Sequence, residues 1–508
     1  MARDPQGALI ALNRFGFGAR GGAAGDFASA ASDPRGFVKA ELARPNAALL
    51  DVPGLQATPT LAQAAFGYQQ EVKQQREAAA KSAQAMAAMP GDMPTDSKAD
   101  SKLEAKTEMK TDPAVRMTTP PDAIQPNPAP AKEPPKPLNI IQKTYRAEAL
   151  ARIQRATMTE SGFVERLVAF WSNHFCISAN KGELARMWAG AFEREAIRPH
   201  VLGRFGDMLL AVEQHPAMIF FLDNQQSIGP QSRAGQNRKR GLNENLAREI
   251  MELHTLGVNG GYTQADVTTL ARIITGWTFA GREGRLGQPG TFIFNANAHE
   301  PGPQRLLGKV YEDTGVAQGE AALADIARHP STAKFIATKF VRHFIADDPP
   351  PALVAKLETT FHKTEGDLRA MTLALVDADE AWCAPMTKIR TPYEYLVAAG
   401  RMMGRIPEEP QRILGGLSVL GQPLWTPAGP NGFADTNAAW AAPENLKLRL
   451  DIASQISSRI GDSIDPRMLL DVVAGDAASV ETRQTVERAE SKPQALALLL
   501  MSPEFQRR

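Results

Sequence analysis

The sequence predicts an all-α protein: a mostly helical irregular globule with a minor β-hairpin and a long disordered insertion. Three observations lead to this prediction. Apolar residues recur at helical spacing along most of the chain, strand-like runs are sparse, and one stretch is rich in Ala, Lys and Pro but has almost no aromatic residues. No repeat of fixed period is visible, which favours an irregular globule over a helical solenoid.

The chain divides into three parts along the sequence. Residues 1–75 are expected to form an N-terminal helical part of the main domain. Residues 76–138 are expected to be a disordered Ala/Lys/Pro-rich insertion, because they contain too little apolar surface to fold alone, although transient helix is expected before Pro113. Residues 139–508 are expected to form the main helical domain, with its polar motifs concentrated in residues 215–311.

Within the main domain, helical periodicity singles out a series of segments. They are 139–156, 161–177, 182–213, 243–256, 263–277, 320–328, 332–345, 351–362 and 366–378. The best strand candidates are Thr291–Phe294 and Arg305–Tyr311. We expect these two runs to pair as a small hairpin around the loop that contains His299.

Composition excludes some classes of protein. Lys and Arg number 57 against 56 Asp and Glu, so the net charge is +1 and no global field favours nucleic acid as a partner. No apolar run approaches the roughly 18 residues of a membrane span. The N-terminus has no sustained apolar run, which predicts a cytoplasmic protein without a signal peptide. Periplasmic location through co-export with a signal-bearing partner is the alternative.

The two cysteines, Cys176 and Cys383, are far apart in the sequence. This spacing argues against a disulfide scaffold and against a thiolate zinc site. Each is therefore predicted to be a buried small hydrophobe.

The segment GLNENLAREIMELHTLGVNGGYTQADV has the densest polar pattern in the chain. On a helical wheel, residues 243–256 place apolar side chains on one face and charged ones on the other, and His254 falls on the apolar face. Gly257 suits a left-handed helix C-terminus, and Thr263 with Asp266 has the spacing of a capping box. A helix, a tight turn and a second helix are therefore predicted.

A second histidine is predicted to be buried in residues 161–177. Phe163, Leu167, Phe170 and Trp171 share one helical stripe, and His174 lies in the middle of it. Burial of an imidazole costs free energy unless both ring nitrogens find partners. Each buried histidine therefore implies a hydrogen-bonding or coordinating neighbour.

One hypothesis gathers these residues into a polar pocket that holds a divalent metal. Imidazole and carboxylate ligands suit zinc, manganese or iron, and an open coordination position would generate a nucleophilic hydroxide. The predicted metal ligands are His174, His254 and His299, the predicted catalytic residues are Glu249, Glu252 and Asp266, and the further pocket candidates are Asp223, Asn243, Glu244, Asn245 and Arg248.

The same residues also have a structural interpretation. Glu244, Arg248 and Glu252 are spaced four residues apart, which is typical of a salt-bridge ladder on a solvated helix face. Asp266 is explained by capping alone, and a histidine on an apolar face is often a core residue whose nitrogens are satisfied. No HExxH, GxSxG or phosphate-binding GxxxxGK[ST] motif occurs.

Two further stretches have a functional and a structural interpretation each. Trp425, Phe433 and Trp440 lie on a Pro- and Gly-rich loop, where aromatic rings either bind a ligand or cap the core. A basic cluster either contacts an anionic substrate or is solvated, and it consists of Arg233, Arg238, Lys239 and Arg240.

Several long motifs resemble a bacterial family known as domain of unknown function 1800. They are ALNRFGFGAR, FWSNHF, HPAMIFFLDN, NENLAREIMELHTLGVNGGYTQADV, TGWTF, the HEPG loop with LLGKVY, and the terminal MSPEFQRR. The resemblance spans nearly the whole chain except the insertion. It points to Asn243, Glu244, Asn245, Arg248, Glu249, Glu252, His254, Asp266 and His299 as residues of the family pattern, but it implies no reaction.

Two hypotheses about function follow. The first is a metal-dependent enzyme, a hydrolase, that uses the His and carboxylate pocket. The alternative is a non-catalytic helical scaffold, in which the polar residues form a closed structural network. Members of the family that the chain resembles often accompany a secreted protein of the sulfatase and phosphatase-like class. The resemblance therefore implies such a protein as a partner.

Overall fold

The fold is described by a computed structural model for residues 3–22, 25–87, 137–236, 241–460 and 463–508. Helices dominate, with two short antiparallel hairpins, which confirms the predicted fold class. Most of the predicted insertion lies outside the described residues, and its first part, residues 76–87, is the end of a helix. The contacts separate a unit formed by Met1–Gly67 and Ile140–Arg508 from a unit formed by Tyr68–Asn139.

The helices of the first half are mostly short. They are α1 (Pro5–Ile10), α2 (Phe27–Ser32), α3 (Pro34–Ala43), α4 (Thr58–Ala87), α5 (Ile140–Met158), α6 (Phe163–His174), α7 (Glu183–Phe192), α8 (Phe205–Glu213), α9 (Pro216–Phe221), α10 (Asn245–Glu249) and α11 (Gln264–Ile273). The segment 182–213, predicted from helical periodicity, is mostly helical but not continuous, because a wider π-helical turn at Glu193–Ile197 and a 3₁₀ turn at Arg198–His200 separate α7 from α8. Pro199 contributes to this break, since it has no N–H to donate.

The strands pair locally. Strand β1 (Trp277–Phe279) pairs with β2 (Phe292–Phe294), and β3 (Gln304–Leu306) pairs with β4 (Lys309–Tyr311). The predicted pairing of Thr291–Phe294 with Arg305–Tyr311 is therefore wrong. Leu307 and Gly308 both have positive φ, and such a two-residue turn closes a hairpin inside the second run.

The helices after the strands complete the main unit. They are α12 (Val316–Ala327), α13 (Pro330–Phe344), α14 (Pro351–Lys363), α15 (Leu368–Asp377), α16 (Glu380–Cys383), α17 (Pro392–Met402), α18 (Gln411–Val419), α19 (Asn437–Trp440), α20 (Pro443–Ile460), α21 (Pro466–Val473), α22 (Val480–Glu487), α23 (Lys492–Met501) and α24 (Pro503–Gln506). None of the described helices is long and apolar enough to cross a membrane.

Helix α6 is largely buried in the main unit. Its aromatic side chains are buried, and they meet those of α13, with ring centroids 5.4 Å apart for Phe170 and Phe340 and 5.6 Å apart for Phe163 and Phe344. Dispersion and the exclusion of water make such aromatic contacts a large part of the core energy. The α6 and α13 pair therefore forms the framework on which the polar residues described below are held.

The two cysteines differ in their environment. Cys176, just after the end of α6, is buried as predicted. The prediction that Cys383 is buried is wrong, because it is exposed at the end of the short helix α16, where the chain leaves the core.

Gly257 ends the π-helical turn Ile250–His254 that continues α10, and it has the predicted left-handed conformation, with φ of +80°. A Cβ atom there would approach Cδ2 of Phe335 to 2.7 Å. Gly257→Ala is therefore expected to lower the free energy of unfolding by about 2 kcal/mol, measured by chemical denaturation.

Gly261 provides the matched control for this substitution. Its φ is +88°, but a Cβ atom there would meet nothing within 4 Å. Gly261→Ala is thus expected to cost only the strain of the left-handed conformation, about 1 kcal/mol. Equal losses in the two variants would show that the contact with Phe335 contributes nothing.

Candidate functional site

The predicted polar helix pair is a connected surface network. Arg248 on α10 bonds Glu244 at 3.0 Å and Glu252 at 3.4 Å, which is the predicted ladder. Glu244 also accepts from Gln264 at 2.8 Å and from Thr268 at 2.7 Å, both on α11, and these bonds help to lower its pKa. The ladder therefore joins the two helices of the motif.

The remaining pocket candidates also have structural partners. The amide of Asn243 donates to the carbonyls of Leu222 and Asp223, Asp223 pairs with Lys181, and Asn245 is exposed at the start of α10. Asp266 forms the predicted capping box with Thr263. It also accepts from the backbone N–H of Leu307 at 3.0 Å, and these hydrogen bonds outweigh burial and lower its pKa.

His254 and His174 are both buried, as predicted. His254 Nδ1 lies 2.7 Å from Oε1 of the fully buried Glu213, while Nε2 of His254 has no hydrogen-bond partner in the described part of the chain. His174 Nε2 bonds the backbone carbonyl of His254 at 3.0 Å, and Nδ1 of His174 lies 2.9 Å from Nζ of Lys339. Both ring nitrogens of His174 are thus engaged by protein groups.

His299 lies beside the first hairpin. Its Nδ1 donates to the carbonyl of Thr275 at 2.9 Å, and its ring contacts that of Phe294. Its Nε2 is 3.6 Å from Asp313 and forms no hydrogen bond within the described ranges. The carboxyl of Glu249 is half-buried, and burial raises its pKa.

The three histidines predicted to bind a metal are not gathered with carboxylates into one set. In the part of the chain that the structure describes, no group of three or more His, Cys, Asp or Glu side chains is arranged to hold a metal ion. The metal assignment therefore stays a prediction. Of the basic cluster, Arg233 is exposed, and Arg238, Lys239 and Arg240 lie outside the described residues.

A cavity of about 260 Å³ has His174 in its wall. This volume is near the lower end of the range for small-molecule sites, roughly 300–1,000 Å³. The walls come from α5, the end of α6, α7 with the turn that follows it, α13, the start of α17 and the loop 422–436. We call it the Lys339 cavity, and the residues used below line it: Arg152, Phe170, His174, Cys176, Glu193, Lys339, Arg342, His343, Glu394, Trp425, Phe433 and Asp435.

The loop 422–436 is tied to the residues at the end of α6. Asn173 exchanges two hydrogen bonds with the backbone of Phe433, at 2.9 and 2.8 Å. Ser178 donates to the carbonyl of Pro427 at 2.9 Å. Gly432 has φ of +74°, and a Cβ atom there would come within 2.5 Å of the Asn173 carbonyl oxygen. The loop is thereby held in place as one wall of the cavity.

Two of the three aromatic residues singled out on this loop line the cavity. Trp425 is buried, and its Nε1 lies 3.3 Å from Glu193, while Phe433 is half-buried. Trp440 does not line the cavity and donates to the carbonyl of Ala434 at 2.7 Å. The ligand interpretation therefore fits Trp425 and Phe433, and core capping fits Trp440.

Each acidic side chain of the cavity wall is paired with cations. Glu193 lies 3.2 Å from Arg152 and 3.0 Å from Arg198. Glu394 lies 3.0 Å from Arg166 and 2.8 Å from Arg508. These pairs outweigh burial, so the pKa of both glutamates is lowered. Both carboxylates are therefore ionised and neutralised by these arginines.

Asp435 is the third acid of the wall. It lies 2.8 Å from His343 Nδ1, 3.0 Å from Arg508 and 3.4 Å from Lys388, and these partners hold its pKa well below the ordinary value despite burial. Nε2 of His343 is 3.1 Å from Arg166, which can only donate, so the ring is neutral and carries its proton on Nδ1. Burial lowers the pKa of His343 to about 4.

Two cations of the cavity wall have no such partner. Lys339 and Arg342 are three residues apart on α13 and half-buried. Nζ of Lys339 forms a hydrogen bond with Nδ1 of His174, and Nε of Arg342 donates one to the carbonyl of Asp347. Neither takes part in an ion pair with a carboxylate of the described residues. Burial, with a contribution from Arg342, lowers the pKa of Lys339 to about 8.

The sequence-based search missed Lys339, Arg342, His343, Glu394 and Asp435. A signal was present in α13, where Lys339 and His343 are four residues apart and Arg342 lies between them in a helix whose other face is apolar. Asp435 lies in the aromatic loop that the sequence did single out. No feature of the nearby sequence identifies Glu394 as a site residue, because its capping box with Thr391 already accounts for a glutamate at this position.

The fold and the site define a mostly helical protein with a small, partly open cavity, whose wall carries two cations without a carboxylate partner among the described residues. Comparison with protein families places the chain in one of them: residues 10–507 match the family described as protein of unknown function (DUF1800), and the chain belongs to it. No curated protein and no solved structure is significantly similar to the chain.

Proposed function

We propose that the Lys339 cavity binds a small organic anion, a carboxylate with an apolar or aromatic body. The observation that carries this proposal is the charge balance of the wall: every acid is paired with a cation, whereas Lys339 and Arg342 have no carboxylate partner among the described residues. Taking a cation partly out of water without a counter-ion costs free energy, so an anionic ligand would stabilise this end of the cavity.

The rest of the wall suits the body of such a ligand. Phe170, Trp425 and Phe433 contribute aromatic surface, and Pro423 and Leu424 contribute aliphatic surface. Apolar walls with a few oriented polar groups are typical of small-molecule sites. An aromatic or short aliphatic acid therefore matches both the size and the chemistry of the cavity.

The experiment compares phenylacetate with phenylacetamide, which has nearly the same shape but no charge, by calorimetric titration of the purified chain. Phenylacetate is expected to bind at least about tenfold more tightly, which corresponds to about 1.4 kcal/mol. Lys339→Met and Arg342→Met should each remove most of this difference. Lys334→Met, an exposed position on the same helix, should leave it unchanged.

Equal affinity for the acid and the amide, or no loss in the two variants, would overturn the proposal. Hexanoate tests an acid with an aliphatic body, and benzoate tests an aromatic acid that is one methylene group shorter. Failure of all three acids to bind would count against any carboxylate ligand of this size.

The metal-dependent hydrolase and the partner scaffold predicted from the sequence are separate hypotheses. The hydrolase lacks support from a ligand set, since the described residues offer no group of three metal-binding side chains. The scaffold finds some support in the connected network of Glu244, Arg248 and Glu252 with α11. Neither hypothesis assigns a role to the Lys339 cavity.

A further inference from the structure

Lys339 and His174 form a pair whose hydrogen-bond direction can be worked out. Nε2 of His174 lies 3.0 Å from the backbone carbonyl of His254, and a carbonyl only accepts, so Nε2 carries the ring proton. Burial, followed by the neighbouring Lys339 and His254, lowers the pKa of His174 well below its ordinary value, so the ring is neutral at pH 7. Its Nδ1 lone pair therefore faces Nζ of Lys339 at 2.9 Å.

Burial makes Lys339 lose its proton more readily than an ordinary lysine, and its side chain lines the cavity. Nδ1 of His174 accepts an N–H of Lys339, so the lone pair of an unprotonated Nζ is directed away from the ring, and the residue lines the cavity. Desolvated lysines beside another cation are the ones that react as amines in proteins. Here Arg342 is that second cation.

We infer that Lys339 is an amine nucleophile that forms a Schiff base with a small carbonyl compound carrying an acidic group, such as a 2-oxo acid. Arg342 is positioned to hold the acid, the aromatic wall to hold the body, and Nδ1 of His174 to accept a proton from the amine. This inference rests on the proposed binding of a carboxylate in the same cavity.

The chemical step is balanced without any redox partner. The Lys339 ammonium loses one proton to solvent, which its lowered pKa favours, and the neutral amine attacks the carbonyl carbon. The C–N bond forms as the carbonyl π electrons move to oxygen, while Nδ1 of His174 takes a proton from the attacking nitrogen and passes it to that oxygen, which gives a neutral carbinolamine. The nitrogen lone pair then expels the hydroxyl, which leaves as water with a proton taken from solvent. The products are a protonated imine and one water molecule.

The groups that face Nζ of Lys339 determine its titration. They are His174 and Cys176 at the end of α6, Arg342 on the same helix and Asp435 on the loop 422–436. Cys176 donates to the carbonyl of Pro430, and burial raises its pKa to about 12, so it is a neutral thiol near pH 7. Asp435 is already paired, and Lys339 has a pKa of about 8.

The test is reductive trapping of the full chain with phenylpyruvate and cyanoborohydride near pH 7, followed by intact-mass measurement and peptide mapping. The expected product is a single adduct with the mass of the acid minus one oxygen atom, located on Lys339. An ordinary lysine has a pKa near 10.4, so the neutral fraction of Lys339 is on the order of 100-fold larger. Labelling of Lys339 should therefore exceed that of Lys334 by at least about tenfold.

The pH profile is measured on the wild-type chain, so this part of the test does not depend on whether a variant folds. The labelling rate at Lys339 should be half-maximal near pH 8 and level off above about pH 9, whereas the rate at an ordinary lysine should still be rising at about pH 10. Lys339→Met should remove the adduct, and His174→Asn should slow its formation. Equal labelling of Lys334 and Lys339, or a profile that is still rising steeply at about pH 10, would overturn the inference.

The two proposals fail in different ways. Phenylacetate has no ketone, so its binding tests the carboxylate site alone. Binding of phenylacetate without an adduct from phenylpyruvate would overturn the Schiff base and leave the binding proposal standing. An adduct at Lys339 without preference for acids over amides would overturn the anion site instead.

Discussion

Arg198→Ala is expected to lower the free energy of unfolding by about 3–5 kcal/mol, the largest loss expected from any substitution considered for this chain. The guanidinium is fully buried and lies 2.7 and 2.9 Å from the two oxygens of Glu165 and 3.0 Å from Glu193. Burial alone would lower its pKa, but these two carboxylates raise it above the ordinary value. Removal of Arg198 leaves the buried carboxylates of Glu165 and Glu193 with fewer cationic partners.

Chemical denaturation monitored by circular dichroism measures this loss. Arg204→Ala is the matched control, because Arg204 is exposed and lies 3.5 Å from the equally exposed Glu365. Such surface pairs contribute less than about 1 kcal/mol. The double variant Arg198→Met with Glu165→Leu should recover part of the loss, since it removes the unpaired charge. A loss of under about 1 kcal/mol for Arg198→Ala would show that the buried pairs do not stabilise the fold.

Asp435→Ala is expected to cost about 3 kcal/mol at neutral pH and to release the loop 422–436. Asp435 is the common acceptor for His343, Lys388 and Arg508, and all three donors are buried. Without it, Arg508 and Lys388 keep fewer carboxylate contacts inside the protein. Hydrogen exchange of residues 427–437 should accelerate in the variant, while exchange in α6 should change little.

The pH dependence of this loss has a definite sign. The pKa of Asp435 lies well below its ordinary value in the folded protein, so its contribution is fully present above the unfolded pKa, near 3.9, and is lost as pH falls below that. The difference in stability between the wild type and Asp435→Ala should therefore stay constant from pH 7 to about pH 5 and shrink below about pH 4. Asp435→Asn, which keeps the shape without the charge, should show a similar loss at neutral pH. A difference that grows on acidification would contradict this.

Helical periodicity identified α6, α10, α11 and α13 with small errors at their ends. It also predicted the buried rings of His174 and His254, the capping box at Thr263 and the left-handed Gly257. These features depend on residues within one or two turns of each other. The pairing of the strands was predicted wrongly, because the local turn at Leu307 and Gly308 outweighed the longer connection that the apolar runs suggested.

The choice of site residues shows where local patterns stop being informative. A wheel separates buried from exposed positions but does not say what lies across the interface. His174 was singled out because it interrupts an apolar stripe, yet its partners, Lys339 and the carbonyl of His254, come from other segments. The carboxylates of α10 were singled out for their density, which the surface ladder with Arg248 explains.

The sequence by itself determined the helical class of this protein, the capping box at Thr263, the left-handed Gly257 and the burial of His174 and His254, because these follow from short-range backbone geometry and from the free energy of removing apolar surface from water. Only the tertiary structure decided which charges of distant segments are paired. Glu394, Asp435 and Arg508 meet across distant segments, and Lys339 and Arg342 are left without carboxylate partners among the described residues. Electrostatic pairing acts through space over a few ångströms, so it depends on how the helices pack and not on their order in the chain.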